Sequence, residues 1–598
     1  MCGSLSSFLP DLFIFFYLIP AVISSCIPDF PSALLSDSAI VQHPAVAEAF
    51  KEVERNISAL FTENTTDALS FAVVHASSPE PAFTCNYGPR RFNETGNNTT
   101  ENSTLQVDSN SIFRMLSVSK NIATFSALVV ESESQQRDSD PAFTLDTPVR
   151  RILPSFGLPD IDWRNGGSEI TLSMLGTHSS GLPREGYVTD YNMVVGQSKA
   201  TAETIGAEWT SVTPESLIES FKTRPLMFAP GQRAAYSNAG ICLLAFTTSH
   251  QHNLLHSLNQ TWSTLATNSI LSPLNMTHSF FGPIPASLSS QTIIPGSPNW
   301  SSLLIGPGYD PAGGLWSSAT DLARYMHNYL SPSPKLITAV QRRNVLQPRL
   351  VLPDGRQQVG FGFEIARIET EVQGKTYRAH GKSGDGGGYH SWVDVVPGLG
   401  YGIVVLTAEA RPAGEGYVRL VPTSIRDAVH GILAPAVGRA VGEVMGQKYA
   451  GVYAGAEDTG LVSEEVEGVN GNKTSYARVE VERGGLFLRE MWVNGTNALE
   501  GLDRLSWTGE SQGRFFSAEG GVGLNPAEGE GERAEFGEGA SVWRMIPELE
   551  ECDWFDFDGY ADVNGWPLSK IVIVERDEEV EIRWPPFDVV MRRIGGTK

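Results

Sequence analysis

The chain has 598 residues, 41% of them hydrophobic, and carries 68 acidic against 44 basic side chains for a formal net charge of -24. That length and apolar share fit two structural units, one large enough to bury a sizeable core. The acidity leaves no basic surface to neutralise phosphates, so nucleic acid is not an expected partner.

An apolar run, Leu12 to Ile23, is followed by the small residues Ser24 and Ser25. About a dozen residues are too few to span a bilayer, so residues 1–25 read as a secretory signal peptide, although no Lys or Arg precedes the run. Eleven of the twenty-five asparagines lie in Asn-x-Ser/Thr: Asn56, Asn64, Asn93, Asn97, Asn98, Asn102, Asn259, Asn275, Asn299, Asn472 and Asn494. Chance gives roughly four, and the excess points to a eukaryotic secreted glycoprotein rather than a bacterial lipoprotein anchored at Cys26. In an oxidising compartment Cys26, Cys85, Cys242 and Cys552 allow three pairings. Cys26 with Cys85 is the first expectation; Cys242, inside the apolar stretch Ile241 to Phe246, reads equally well as a buried free thiol.

Pro44 to Leu60 spaces its apolar residues at three and four, the period of a helix. Ser70 to His75 and the region of Cys85 read as paired strands, and residues 90–110 as a polar, sequon-crowded surface loop. Ile112 to Leu116 leads into Ser117-Val118-Ser119-Lys120, after which Ile122, Phe125, Ala127, Leu128 and Val129 fit a buried helix. Further on, Tyr389 to Val396 alternates as a strand, and a helix is expected around Thr423 to Val441. From about Gln447 the composition turns Gly- and Glu-rich, with strand-like stretches at Tyr476–Val481, Leu486–Trp492, Arg514–Ser517, Val542–Ile546, Lys570–Val574 and Val580–Trp584. These imply a separate antiparallel β-domain, barrel or sandwich, with Gly520 to Gly539 as a flexible loop. The expected division is 1–25 signal peptide, 27–445 catalytic domain and 447–598 β-domain.

Chemistry concentrates in three motifs. Of the eleven lysines only Lys120 has a serine three residues before it, Ser117. Three apart on a helical turn, the two side chains share a face, and a neutral amine there can take the serine proton. Tyr236-Ser237-Asn238 follows, and then Lys382-Ser383-Gly384-Asp385. Alone, a Ser-x-x-Lys arises by chance about as often as not in a chain this long. Three motifs in this order are specific.

Together they resemble the serine β-lactamase and penicillin-binding-protein superfamily, nearest its class C β-lactamase-like secreted members of fungal type, over roughly residues 40–430. Leu175 to Leu182 and Pro311 to Leu322 are family-like too. The resemblance implies an α+β fold: an antiparallel sheet flanked by helices, with an all-helical subregion. It also implies an acyl-enzyme at Ser117 on an ester, amide or lactam carbonyl of a small-molecule or peptide substrate, with Lys120 and Tyr236 jointly handling the proton. Asn238 would hold Lys120 and the substrate amide, and Lys382 and Ser383 the phenol and any substrate carboxylate. The oxyanion site would be the backbone N–H groups of Ser117 and Asp385, beside Gly384. Asp385 departs from the small or neutral residue usual there, and its carboxylate would disfavour anionic substrates. No cofactor, metal or membrane span is expected, and oligomeric state is not readable. An acyltransferase and a catalytically idle secreted binding protein are the alternatives; the intact motifs argue against the second, and secretion favours hydrolysis over transfer.

Competing motifs are weaker. Gly509-Glu510-Ser511-Gln512-Gly513 fits G-x-S-x-G but lacks a helical sequel, and reads as a turn between strands. Gly381-Lys382-Ser383 lacks the upstream glycine of a phosphate loop, since position 376 is Thr376. His250, His252 and His256 invite a metal reading, but no acidic residue accompanies them at matching spacing, so they are expected as exposed histidines at a helix end.

Overall fold

The computed structural model describes residues 27–61, 67–92, 106–137, 143–159, 169–187, 194–197, 210–296, 298–372, 374–411, 420–455, 475–502, 521–527, 529–547, 558–576 and 579–595. The signal-peptide region, Cys26, Cys552, Asn64, Asn93, Asn97, Asn98, Asn102, Asn472 and the stretch from Gly509 to Ser517 lie outside them. Two compact units are present, Asp29–Lys448 and Tyr449–Lys598 with Ile27 and Pro28.

In the larger unit the principal helices are α1 (Pro44–Leu60), α2 (Ser119–Gln136), α3 (Asn238–His256), α4 (Ala319–Leu330) and α5 (Pro422–Tyr449). Its strands are β1 (Ala68–His75), β2 (Ser78–Tyr87), β3 (Phe113–Arg114), β4 (Trp316–Ser317), β5 (Leu350–Val351), β6 (Gln358–Val359), β7 (Glu364–Arg367), β8 (Arg378–Gly386), β9 (Tyr389–Val396) and β10 (Tyr401–Ala408). All but β3 and β4 form one antiparallel sheet, ordered β2-β1-β10-β9-β8-β7-β6-β5. Every residue of β1 and β10 is buried, so the sheet centre is covered on both faces.

Neighbouring residues on β10 show what covers it. The Tyr401 hydroxyl meets His430 Nδ1 of α5 at 2.8 Å, whereas a Cβ on Gly402 would stand 2.7 Å from the Met326 methyl of α4. Successive side chains on a strand point to opposite faces, so α5 and α4 lie on opposite sides. α1 packs on β2 through Phe50 stacked on Phe83 at 5.0 Å. The helical subregion centres on α2 and α3, buried nearly all round, as their continuous runs of apolar and small polar residues require.

The smaller unit is a β-barrel. Its strands are β11 (Gly451–Ala454), β12 (Tyr476–Glu482), β13 (Gly485–Val493), β14 (Thr496–Asn497), β15 (Val522–Pro526), β16 (Ala540–Pro547), β17 (Lys570–Arg576), β18 (Glu579–Trp584) and β19 (Val589–Gly595). The order runs β12-β11-β19-β18-β17-β16-β15-β13, and β13 pairs back onto β12, closing the ring; β14 is a short addition on β13. Closure leaves no long free edge. Trp543, Leu486, Leu524 and Ile573 are buried with no solvent exposure. The expected loop from Gly520 to Gly539 instead contains β15 and a short helix at Glu530–Ala534. Val522 and Leu524 alternate there as strand residues, a pattern masked by the surrounding Gly and Glu.

Two cysteine expectations are settled differently. Cys242 is a buried free thiol. Cys85 is also free and buried on β2, with its pKa pushed up to about 12 by burial and then by Glu54. The Cys26–Cys85 bridge is therefore not formed: Cys85 is packed inward opposite Phe71 of β1 as a small apolar residue.

Candidate active site

The turn bearing Ser117 is fixed from three directions. Arg114 pairs with Trp316 in the β3–β4 ladder, and Met115 N–H donates to Leu315 O at 2.9 Å. Leu116 takes a left-handed conformation, φ 49°, which costs a branched residue and is held only by surrounding bonds. Ser119 Oγ donates to Leu116 O at 2.6 Å and accepts from Leu315 N at 3.0 Å, while Ser391 Oγ of β9 donates to Met115 O at 2.7 Å. Ser117 thus sits in a 3₁₀ turn, Leu116–Val118, running into α2, rather than on the first α-helical turn. It keeps partial solvent access while its neighbours are buried.

Lys120 is buried at the head of α2, and its Nζ donates to Ser117 Oγ at 2.9 Å and to Ala312 O at 2.7 Å. Tyr236 is placed by the start of α3: Ser237 is the N-cap, accepting from Gly240 N at 2.8 Å and donating to Pro183 O at 2.7 Å. From there the Tyr236 hydroxyl donates to Ser117 Oγ at 2.8 Å. Lys120 Nζ, Lys382 Nζ and the Arg184 guanidinium carbon lie 4.9, 5.1 and 4.9 Å from the centre of the Tyr236 ring.

This crowding sets the proton affinities. Burial pulls the Lys120 ammonium below its ordinary value, and Lys382 adds to the shift. Burial alone would push the Tyr236 phenol up, but Lys120 and Lys382 outweigh it and hold it below its ordinary value. Acid and base are thereby brought toward one another across a single hydroxyl. His178, stacked on Tyr236 with ring centres 4.7 Å apart, is pushed down to about 3 by burial and then by Lys120, Lys382 and Arg184. It is neutral, and Nδ1 accepts from Ser237 N at 3.2 Å.

β8 supplies the opposite wall. β7 pairs with it only as far as Glu364 opposite Gly381, so Lys382 to Gly386 have no β7 partner. A Cβ on Gly384 would lie 2.2 Å from Met115 O and 2.9 Å from Ser117 N; only glycine lets the strand run this close to the serine turn. Lys382 Nζ donates to Glu364 Oε1 at 2.6 Å and Ser383 O at 3.0 Å, and Ser383 Oγ stands 3.5 Å from Glu364 Oε2. A cavity of about 310 Å³ adjoins Lys120, Tyr236 and Lys382, with Ala235, Ile241, Leu352, Val359 and Phe363 among its apolar walls.

Ser117, Lys120, Tyr236 and Lys382 are therefore brought together, with Ser383, Gly384 and Asp385 on the adjoining strand. Two expectations are corrected. Asn238 does not hold Lys120: its amide donates to Glu185 Oε1 at 2.7 Å, and Lys120 is held by Ala312 O instead. The Asp385 carboxylate does not stand alone beside Gly384, because it lies 2.8 Å from His390 Nδ1, its cross-strand partner. Glu185, Glu364 and the role of His178 were missed; His178 stood within a family-like segment, but nothing in sequence marked the two glutamates.

The histidines of α3 also differ from expectation. His252 is buried, with Nδ1 2.7 Å from Glu133 Oε2 of α2, and His256 Nε2 lies 3.2 Å from the same oxygen. Their donor atoms all fall within 4.8 Å, a spacing that a metal ion could bridge. However, Arg137 Nη2 stands 3.3 Å from His256 Nδ1. A guanidinium only donates, so Nδ1 accepts and Nε2 carries its proton toward Glu133, the wrong tautomer for a metal there. The cluster is a hydrogen-bonded clip between α2 and α3.

A family model for Beta-lactamase matches residues 90–421, more than half of the chain. The chain belongs to the beta-lactamase family. It is 27% identical over 351 residues to "Beta-lactamase-like protein 2" of Dictyostelium discoideum, covering 58% of this chain and 56% of that protein. It is 24% identical over 334 residues to the D-alanyl-D-alanine-carboxypeptidase/endopeptidase AmpH of Escherichia coli K12, covering 54% and 76%. Among solved structures, the Beta-lactamase/D-alanine Carboxypeptidase from Yersinia pestis aligns with a TM-score of 0.48 at 19% identity, over 65% of this chain and 99% of that one. The match thus spans little more than half the length of the Dictyostelium relative.

Proposed function

We propose that this beta-lactamase family member is a serine hydrolase that passes through an acyl-enzyme at Ser117. The observation that carries the reading is the convergence of Lys120 Nζ and the Tyr236 hydroxyl on Ser117 Oγ, at 2.9 and 2.8 Å, with both proton affinities lowered. Ser117 Oγ attacks the carbonyl carbon of an ester, amide or lactam while its proton passes to the Lys120–Tyr236 pair. The oxyanion is received by the backbone N–H groups of Ser117 and Asp385. The same pair returns the proton to the leaving group, and water repeats the sequence in reverse to release the acid. Lys382 keeps the phenol acidic, and Gly384 lets the strand reach the oxyanion. One relative is named a D-alanyl-D-alanine-carboxypeptidase/endopeptidase, which is consistent with this chemistry.

The reading extends to secretion as a glycoprotein. Its support is the apolar leader, the sequon excess, and the solvent access of the five described sequon asparagines, Asn56, Asn259, Asn275, Asn299 and Asn494. Expression in a eukaryotic host should yield medium-borne protein whose mass falls on endoglycosidase treatment.

The chemistry is tested by labelling with a fluorophosphonate. The label should map to the Ser117 peptide, disappear in Ser117→Ala, and slow by about a hundredfold or more in Lys120→Ala or Tyr236→Phe, the scale of losing positioned proton transfer. Labelling at Ser511, or full activity in Ser117→Ala, defeats the proposal.

A further inference from the structure

Lys382 is 3% exposed, and an ammonium so buried requires an anion or a full set of acceptors. Glu364 supplies the anion. One carboxylate oxygen accepts a hydrogen bond from Lys382 Nζ at 2.6 Å, and the other lies 3.5 Å from Ser383 Oγ. The carboxylate thus spans an ammonium and a hydroxyl, the two donors beside Ser117 suited to holding a carboxylate on a substrate.

The placement is built into the sheet. Glu364 is the first residue of β7 and is paired with Gly381, so the strand register sets it beside Lys382. Its side chain is 43% exposed and lines the cavity that adjoins Lys120 and Tyr236. Among the described residues, the carboxylate of Asp385 pairs with His390 and Oε1 of Glu185 with Asn238.

We propose that Glu364 is an internal carboxylate that fills the anion subsite beside Ser117, restricting the enzyme to acyl substrates with no carboxylate on that side. This rests on the serine hydrolase reading above. A substrate carboxylate must displace Glu364 from Lys382 or lie against a like charge, and either disfavours binding. A neutral ester or amide meets no such opposition, and the apolar walls at Ala235, Ile241, Leu352, Val359 and Phe363 suit an uncharged hydrocarbon portion. Glu364 acts here as a specificity residue and takes no part in bond making.

The test uses the full chain and two thioesters of one acyl group, an acyl thioglycolate and its methyl ester, which differ only in a free carboxylate on the leaving group. Thiol release gives kcat/KM, and competition with fluorophosphonate labelling of Ser117 gives binding even where turnover is slow. The wild type should favour the methyl ester by about tenfold or more, and Glu364→Gln should bring the ratio of the two kcat/KM values toward one, whatever change it makes to both rates together. Equal use of both compounds by the wild type would overturn the proposal on its own. So would an equal change for both in Glu364→Gln, which marks a structural role. A wild type that takes no label at Ser117 instead sinks the hydrolase reading, so the two failures are distinguishable.

Discussion

Lys120 and Tyr236 converge on the same oxygen, Ser117 Oγ, and the Lys120 ammonium also lies 4.9 Å from the Tyr236 ring centre. Neither proton affinity is then independent of the other, and the pair titrates as a unit. Lys382, 5.1 Å from the same ring, lowers both.

Removing that third charge gives the first prediction. In Lys382→Met both Lys120 and Tyr236 lose a cation that holds them down, so each rises. The basic form of the pair then appears only at higher pH. The acid limb of the kcat/KM profile should move upward by about one pH unit relative to the wild type. An unmoved limb with a uniformly lower rate would mean that Lys382 acts only on the substrate.

A second prediction concerns the strand that faces Ser117. Gly384→Ala adds a Cβ 2.2 Å from Met115 O and 2.9 Å from Ser117 N, both backbone atoms that cannot rotate away. Overpacking of this kind costs about 1–3 kcal/mol. The strand must withdraw from the serine turn, so fluorophosphonate labelling of a still folded variant should slow by about a hundredfold, the scale of losing an oxyanion donor. Chemical denaturation and labelling rate, measured together, check both halves.

What the sequence revealed and what it hid divide along one physical line. Ser117 with Lys120, and Tyr236 two residues before Asn238, are short-range motifs whose spacing the local backbone fixes, and they were legible. The sheet was legible where alternation is clean, as at Tyr389–Val396, which is β9 to the residue. Glu185 and Glu364 were not, because their partners lie 53 and 18 residues away and depend on packing and strand register. Asp385 was read as the charge that shapes substrate choice. The structure turns it onto His390 and gives Lys382 to Glu364. His252 was read as exposed because it stands near a helix end; the small polar residues Thr247, Thr248 and Ser249 before it are themselves buried, so α3 stays covered nearly to its C-terminus.

The clip between α2 and α3 yields a prediction for acid. His252 and His256 overcome the upward push of burial and hold the Glu133 carboxyl below its ordinary value of 4.5. A depressed carboxyl contributes stability above its unfolded value and loses it as pH falls through the folded one. Glu133→Gln should therefore cost about 1–2 kcal/mol at pH 7, discounted for partial exposure, and the difference from wild type should shrink as pH falls below 4.5. Added zinc should leave the wild-type unfolding midpoint unchanged. A zinc-dependent rise that Glu133→Gln abolishes would restore the metal reading.

His390 carries the opposite sign. Its Nδ1 lies 2.8 Å from Asp385 and its Nε2 2.6 Å from Glu409, so both ring nitrogens face carboxylates. Burial opposes the charge, but the two carboxylates outweigh it and raise the imidazole above its ordinary value of 6.5. A raised histidine contributes its full stability below the unfolded value and loses it as pH rises through the folded one. Wild-type unfolding free energy should accordingly fall as pH climbs above 6.5, and His390→Gln should flatten that slope. Asp385 is the next residue along β8 from Gly384, and its backbone is the proposed oxyanion donor. Discharge of His390 frees the Asp385 carboxylate beside that donor, so labelling of Ser117 by a neutral fluorophosphonate should slow over the same window in the wild type and not in His390→Gln. A wild-type slope that survives in His390→Gln would assign the titration to another group.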